Sequence, residues 1–269
     1  MADVAICTPH GGSVQPEYYR RVLEMQNHSL GHTFYHMELD LQIVGKARNV
    51  LVEEVLRQTP CQVLWFIDND TYIHANSGIL IDLALKHGIV SGLYFNRHAP
   101  YTPQVYKLST RSDEVGMYEA ILDYPETGMM LVEAVGAGCL AVRRDVFETM
   151  KQKHDERLKS AVEHITHELR NDGRARADFE WLLEYAQTLS PWFEFLDKKG
   201  EDFYFSERAH DAGFPIFVCV DVKCDHMGPV LIHEGHFKYL KDNNLLVRLD
   251  PQGNPIDAPP PPVPPEAPK

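Results

Sequence analysis

The sequence lacks a long hydrophobic run and a basic, apolar leader at its amino terminus. Nowhere do about 18 apolar residues follow one another, which is the length that a membrane-spanning helix requires. Residues 1–7 contain neither Lys nor Arg and form no extended apolar segment. We therefore expect a soluble chain without a signal peptide or a membrane span.

Cysteines and basic residues are also scarce. The 5 cysteines include no C-x-x-C pair, and such an odd, scattered set is typical of reduced thiols in a cytoplasmic protein. The 26 Lys and Arg residues face 39 Asp and Glu residues, which gives a formal net charge of −13. This charge disfavours a broad nucleic-acid-binding surface, although it leaves room for a local basic groove.

Three common site motifs are missing as well. The chain contains no G-x-x-x-x-G-K-[ST], no G-x-G-x-x-G and no G-x-S-x-G. Their absence excludes P-loop, dinucleotide-binding Rossmann and α/β-hydrolase sites. The segment His233-Glu234-Gly235-His236 departs from H-E-x-x-H, so a zinc-protease site is not indicated either.

The chain does contain an apolar run that ends in two acids. Residues Val63 to Ile67 lead directly into Asp68-Asn69-Asp70. Such a run is typical of a strand buried on both faces of a parallel sheet, and open α/β sheets bind ligands beyond the carboxyl ends of their strands. Because alternate residues of an extended segment point to the same side, Asp68 and Asp70 can reach one divalent cation and its phosphates. An acidic surface turn is the alternative interpretation.

The surrounding pattern predicts one α/β domain over residues 1–250, with a mixed, mostly parallel central sheet flanked by helices. Helices are expected at 43–58, 78–87 and 201–212. Strands are expected at 4–7, 63–67, 89–93, 103–108, 117–122, 129–135, 139–142 and 216–220. Residues 8–12 are expected to form a loop after the first strand.

Two segments fall outside this pattern. Residues 151–189 are highly charged, have helical periodicity and break at 171–173. They predict a helical insert that is either a solvated hairpin or a lid or acceptor-binding element. Residues 251–269 are rich in proline and predict a disordered or polyproline-like tail, which either solubilises the chain or binds a partner.

Three further features have side chains or backbone suited to chemistry. Glu201 and Asp202 open a predicted helix, where the helix dipole stabilises carboxylates and where a carboxylate is also well placed to act as a general base. His226 is either an ordinary hydrogen-bonded histidine or a ligand for an ion such as Mn²⁺. The Gly-Ala-Gly segment at 136–138 is either a tight turn or a place where a sugar lies against the backbone.

Four segments then occur in a fixed order: Ala47-Arg48-Asn49, residues 65–70, residues 136–144, and residues 200–205 with Ala212-Gly213 and His226. In this order they resemble the GT-A family of nucleotide-sugar-dependent glycosyltransferases, particularly its inverting, family-2-like branch. The resemblance covers residues 3–150 and 190–230 and implies a Rossmann-like GT-A fold. The helical insert and the tail lie outside it.

The resemblance implies a role for each matching residue on the donor side. Thr8, Pro9 and Arg48 would border the nucleobase of the nucleotide sugar. Asp68 would contact the ribose or a metal-bound water, and Asp70 would ligate Mn²⁺ or Mg²⁺.

The resemblance implies further roles around the metal and the acceptor. His226 would complete a metal site with Asp70 and Asp68. Asp202 would deprotonate the acceptor hydroxyl, with Glu201 as the alternative base. The residues expected to line the sugar and acceptor side are Gly136, Ala137, Gly138 and Trp192.

The implied function is a metal-dependent, inverting transfer from a UDP- or GDP-sugar to a hydroxyl of a glycan, a small metabolite, a protein side chain or a hydroxymethylated nucleobase in DNA. Typical secreted or membrane-bound members carry a transmembrane anchor or an extra domain, and we expect neither in this chain. Cys139-Leu140 stands where bulkier residues are common, so the acceptor pocket is expected to differ. The alternatives are a metal-dependent nucleotidyltransferase, which would usually have a basic residue in the loop at 8–12, and a non-catalytic GT-A-like protein whose tail binds a partner.

Overall fold

The structure is a computed structural model that describes residues 2–41, 43–110, 117–171, 186, 188–196, 199–228, 231–243 and 245–246. Within these residues the chain forms the α/β fold that the sequence predicts, with a mixed, mostly parallel central sheet between helices. The predicted proline-rich tail and residues 172–185 of the predicted insert lie outside the described residues.

The described strands are β1 (Asp3–His10), β2 (Thr33–Asp40), β3 (Val63–Ile67), β4 (Thr71–Tyr72), β5 (Ile89–Leu93), β6 (Val105–Leu108), β7 (Tyr118–Ala120), β8 (Met129–Val132), β9 (Ala134–Val135), β10 (Cys139–Arg143), β11 (Ile216–Lys223), β12 (Asp225–Met227) and β13 (Leu231–Ile232). The described helices are α1 (Pro16–His28), α2 (Val44–Gln58), α3 (Ile79–His87), α4 (Arg144–Asn171), α5 (Glu201–Asp211) and α6 (Glu234–Asp242).

The central sheet has seven strands in the order β2-β1-β3-β10-β5-β11-β8. Strand β1 is parallel to β2 and β3, and β5 is parallel to β11. Strand β10 runs antiparallel to both β3 and β5, so the parallel strands on its two sides point the same way. Their carboxyl ends therefore meet at one edge of the sheet, which is where ligands of such folds bind.

Side chains pack on both faces of this sheet. Leu51 of α2, Phe147 of α4 and Phe205 of α5 belong to one buried cluster. Tyr18 of α1 and Leu80 of α3 belong to a second one. Because both faces are covered, every residue of β3 and β5 is buried, which explains the unbroken apolar run of β3.

Two small antiparallel sheets, β13-β12-β4 and β7-β6-β9, flank the central one. Strand β4 follows the acidic pair directly, and its pairing with β12 places His226 opposite Thr71. Strands β6 and β7 form the antiparallel pair predicted for 103–108 and 117–122. The single strand predicted over 129–135 is instead divided between the central sheet and the small sheet of β6.

Several boundaries differ from the prediction. Helix α1 and strand β2 were not predicted. Strand β2 lacks an apolar run because it is an edge strand whose side chains are mostly half-buried or exposed. Thr8 and Pro9 belong to β1 and not to a loop. Helix α4 runs without interruption from Arg144 to Asn171, so residues 151–171 are helical as predicted but continue this helix. Among the described residues, no helix combines the length and hydrophobicity needed to cross a bilayer.

Candidate active site

A cleft of about 220 Å³ lies at the carboxyl ends of β1 and β3. Its lining consists of Pro9, His10, Gly11, Leu41, Val44, Asp68, Asn69, Asp70 and Arg97. Both acids of the predicted site therefore face one cleft, as the strand arrangement requires. Pro9, which was expected to border the nucleobase, lines the same cleft.

A buried arginine joins three carboxylates next to this cleft. Arg48 has a side chain that is 2% exposed, and its Nη2 donates to both carboxylate oxygens of Asp68 at 2.8 and 2.9 Å. Its Nη1 donates to Glu201 Oε1 at 2.5 Å and to Asp202 Oδ1 at 3.2 Å. The guanidinium also lies 5.8 Å from the centre of the Phe193 ring. Arg48 thus ties the end of β3 to the first turn of α5.

The neighbouring residue strengthens the same connection. Asn49 Nδ2 donates to Phe193 O at 2.6 Å, and Phe193 N donates to Asn49 Oδ1 at 3.1 Å. The side chain of Asn49 therefore holds the backbone of the segment that leads into α5. Arg48 and Asn49 together fix the position of Glu201 and Asp202 relative to the sheet.

One guanidinium faces three carboxylates, so the cluster would have two negative charges in excess if all three carboxylates were ionised. Burial raises the pKa of Asp202 well above its usual range; Arg48 lowers it, and the charges of Glu201 and Asp68 raise it further. Burial also raises the pKa of Asp68, although Arg48 opposes the shift. Burial lowers the pKa of Arg48, but the three carboxylates outweigh burial and raise it. A site with this excess favours a proton or a further cation.

Asp70 and His226 form a second pair in the site. His226 Nε2 lies 3.3 Å from Asp70 Oδ2, and Met227 N donates to Asp70 O at 2.7 Å. His226 Nδ1 lies 2.8 Å from Phe95 O. Because a carbonyl oxygen can accept but not donate, Nδ1 carries the proton in that contact. With Nδ1 donating to Phe95 O, the contact between Nε2 and Asp70 Oδ2 is a hydrogen bond only when Nε2 is protonated as well. Loss of the Nε2 proton leaves a lone pair there that a cation can use.

The ionisation of this pair follows from its contacts. Burial raises the pKa of Asp70, but the hydrogen bond with His226, the charge of His226 and the charge of Arg97 outweigh burial and lower it. Burial lowers the pKa of His226, but its hydrogen bond and charge interaction with Asp70 outweigh burial and raise it. Asp70 is therefore anionic at neutral pH and attracts cations.

The residues fit a divalent ion in part. Among the described residues, no group of three or more His, Cys, Asp or Glu side chains is arranged to hold a metal. Asp70 and His226 nevertheless offer an oxygen and a nitrogen 3.3 Å apart, a donor set that suits Mn²⁺. Asp68 was predicted as a further ligand, but both of its oxygens accept from Arg48. In this structure Asp68 is a counter-ion of Arg48.

The Gly-Ala-Gly segment forms the turn between β9 and β10, and all three residues are buried. Gly138 N donates to the Tyr94 hydroxyl at 3.0 Å, and a Cβ at Gly138 would lie 2.9 Å from Tyr94 Cζ. A Cβ at Gly136 would collide with the same hydroxyl. The close approach that the glycines permit is therefore that of Tyr94. The turn still borders the site, because a hydrogen bond from the backbone of Ala137 lowers the pKa of Asp202.

Two predicted contacts are wrong because the side chains lie in the protein interior. Trp192 is 1% exposed, and its Nε1 donates to Phe147 O at 2.9 Å, so it offers no aromatic face to a sugar. Thr8 is also 1% exposed, and its hydroxyl lies 2.5 Å from the Tyr18 hydroxyl, so it does not border the cleft.

Three aromatic residues that were not predicted as site residues surround the position next to Asp202. Phe203 stacks on Tyr118 with 4.7 Å between ring centres and meets Tyr106 edge to face at 4.9 Å. All three rings are half-buried. Burial raises the pKa of Tyr106, and the charge of Asp202 raises it further, which shows that Asp202 is near. The position of Phe203 directly after Asp202 was the signal in the sequence.

Arg97 was also missed. It follows β5, lines the cleft, and donates from Nη1 to Asp70 Oδ2 at 2.8 Å. A basic residue just beyond a buried strand of a parallel sheet was the available signal.

Comparisons with known proteins identify the fold. No family model matches the chain, and no curated protein matches it. Among solved structures, GalNAc-T7 with UDP, GalNAc and Mn²⁺ has a TM-score of 0.50 at 10% identity, covering 90% of this chain and 48% of that chain. The chain has a GT-A-like fold. It spans about half the length of the GalNAc-T7 chain.

Other solved structures are similar over more of their own length but superpose less well. A197 from STIV has a TM-score of 0.48 at 14% identity, covering 84% of this chain and 86% of that chain. Residues 1-349 of S. aureus TarS give a TM-score of 0.39 at 13% identity, covering 82% of this chain and 58% of that chain. At such identities the similarity concerns the fold, and the inverting, family-2-like assignment stays a prediction.

Proposed function

We propose that this chain transfers a sugar from a UDP- or GDP-sugar to an acceptor hydroxyl, with inversion and with the help of Mn²⁺ or Mg²⁺. One observation carries the proposal. The Asp70–His226 pair and the Arg48 cluster that contains Asp202 meet at the carboxyl edge of a GT-A-like sheet. A binding protein without catalysis has no need for both groups in one place.

Asp70 and His226 are the residues that would hold the divalent ion. Phe95 O fixes the imidazole orientation through Nδ1, and the backbone bond from Met227 fixes Asp70. When bound, the ion supplies positive charge that stabilises the nucleoside-diphosphate leaving group. Pro9, Leu41 and Val44 supply the apolar part of the same cleft, which suits a nucleobase.

Asp202 is the better placed of the two candidate bases. Its side chain is 29% exposed, whereas that of Glu201 is 10% exposed and bonded to Arg48 at 2.5 Å. Asp202 takes the proton of the acceptor hydroxyl while the oxygen bonds to the anomeric carbon and the bond to the diphosphate breaks. A raised pKa brings Asp202 closer to the working pH, which favours proton transfer.

The half-buried rings of Tyr106, Tyr118 and Phe203 support an acceptor with an apolar face. A sugar ring or a nucleobase has such a face and packs on aromatic side chains. This favours a glycan or a modified nucleobase among the acceptors considered.

A thermal-shift panel of UDP- and GDP-sugars tests the proposal, with Mn²⁺ present or removed by a chelator. A ligand present at about 100 times its Kd stabilises the native state by about 2.7 kcal/mol. For a chain of this size that is a rise in Tm of about 5–11 °C. We expect such a shift with Mn²⁺ and at least one donor, in the wild type and in Asp155→Asn, an exposed acid on α4. We expect Asp70→Asn to lose it.

Two outcomes of the thermal-shift panel would contradict the proposal. If no donor shifts Tm with or without Mn²⁺, the chain is not a nucleotide-sugar-dependent enzyme. If donors bind equally well after chelation and to Asp70→Asn, the metal-assisted form of the proposal is wrong.

A further inference from the structure

Arg97 is an exposed cation in the cleft whose acidic partner is one of the proposed metal ligands. Its side chain is 51% exposed, and Nη1 lies 2.8 Å from Asp70 Oδ2. The other arginine of the site, Arg48, is 2% exposed and is bonded to three carboxylates, so it is fixed. Of these two arginines, Arg97 has the freedom to change partners.

The oxygen that Arg97 uses is also the oxygen that faces the imidazole. Asp70 Oδ2 lies 3.3 Å from His226 Nε2. A divalent ion held between Asp70 and His226 Nε2 would lie beside this oxygen, and its charge repels the guanidinium. The contact between Arg97 and Asp70 therefore competes with metal binding at this pair.

The backbone around Arg97 is fixed, which confines any exchange to the side chain. Phe95 forms an antiparallel bridge with Pro103, and Asn96 N donates to Thr102 O at 2.8 Å. Phe95 O also contacts His226 Nδ1. The loop is thus anchored beside the metal ligands, while the guanidinium projects into the cleft.

We infer that Arg97 is an exchangeable cation that pairs with Asp70 in the free protein and moves to the diphosphate of the nucleotide when the metal ion and the donor bind. The inference rests on the proposed function. A phosphate is a strong partner for a guanidinium, because it accepts two parallel hydrogen bonds and carries more charge than a carboxylate. Arg97 then opposes metal binding without nucleotide and supports nucleotide binding with metal. Metal and nucleotide binding become positively coupled.

The test measures binding and needs no turnover. Mn²⁺ is titrated into the wild type and Arg97→Gln by electron paramagnetic resonance, and UDP is titrated by calorimetry at saturating Mn²⁺. Since an exposed ion pair contributes little, we expect Arg97→Gln to bind Mn²⁺ alone about two- to fivefold more tightly than the wild type. Since charge-assisted hydrogen bonds to the diphosphate are lost, we expect it to bind UDP about tenfold or more weakly.

A matched control separates this effect from a general loss of charge. Arg57 is 68% exposed, pairs with Glu54 on α2 and lies outside the cleft lining, so Arg57→Gln should match the wild type in both titrations. If Arg97 is only structural, Arg97→Gln should bind Mn²⁺ alone as tightly as the wild type or more weakly. Either result overturns the inference.

The two proposals fail in different ways. If the wild type binds neither Mn²⁺ nor UDP, the proposed function is overturned, and the inference with it. If the wild type binds both and Arg97→Gln equals it in both titrations, the inference about Arg97 alone is overturned.

Discussion

Replacing Arg48 by Met tests the arrangement on which the site depends. Arg48 donates four hydrogen bonds to three carboxylates from a buried position. Met keeps much of the apolar stem that packs near Phe193, so the change mainly removes the charge. Removing one partner of a buried ion pair costs about 3–5 kcal/mol, because the remaining charge is left without compensation. We expect R48M to lose about that much of its free energy of unfolding.

The loss should depend on pH with a defined sign. The pKa values of Asp68 and Asp202 already lie above those of an unfolded chain, and without Arg48, which lowers both, they rise further. The folded variant then binds more protons than the unfolded one, so its stability falls as the pH rises. The difference between R48M and the wild type should be smaller at pH 5 than at pH 8.

Urea unfolding followed by circular dichroism at both pH values measures this difference. For a chain of this size, about 3–5 kcal/mol also corresponds to a decrease in Tm of about 6–20 °C. The control is R57M, which removes an exposed arginine from the same helix and should cost less than about 1 kcal/mol. An R48M variant no less stable than R57M, or one that loses more at pH 5, would refute the reasoning.

Two further predictions concern the chemistry and the acceptor. Asp202→Asn should abolish transfer but keep Mn²⁺-dependent donor binding. In the wild type, kcat should rise with pH as Asp202 loses its proton. If Glu201→Gln abolishes transfer and Asp202→Asn does not, the assignment of the base is wrong. Because the folded-state pKa of Asp202 is raised, its stability contribution falls with rising pH, so Asp202→Asn should melt higher than the wild type at alkaline pH. Phe203→Ala should raise KM for the acceptor at unchanged donor affinity, unlike the exposed control Tyr239→Ala, and an unchanged KM would contradict the aromatic acceptor surface.

The parts of the fold that the sequence predicted are those with strong local signals. Strand β3 is buried on both faces and all of its residues are apolar, and this unbroken run is the pattern that predicted it. Helices α3 and α5 end where glycines adopt positive φ, +91° at Gly88 and +90° at Gly213, as their positions indicated. Strand β2 has no comparable signal, because an edge strand does not need an apolar run.

The errors at the site come from contacts between residues distant in the chain. Gly136 and Gly138 were expected to make room for a sugar, but Tyr94, which directly follows β5, occupies that room. Trp192 is of a residue type that often packs on sugars. Its hydrogen bond to Phe147 O and its burial cannot be inferred from its neighbours in sequence. Spacing alone predicts which side chains share an element, but it does not predict which face of that element meets the core.

The acidic pair shows how such contacts assign different functions to similar residues. Asp68 and Asp70 are separated by one residue and were expected to hold one ion together. In the structure Asp68 pairs with the buried Arg48, whereas Asp70 pairs with His226 and the exposed Arg97. Because a buried ion pair is costly to break, the Asp68–Arg48 pair can orient Asp202 without taking part in ligand exchange. Because an exposed ion pair contributes little, Asp70 can exchange Arg97 for another cation at small cost, as its proposed role as a metal ligand would require.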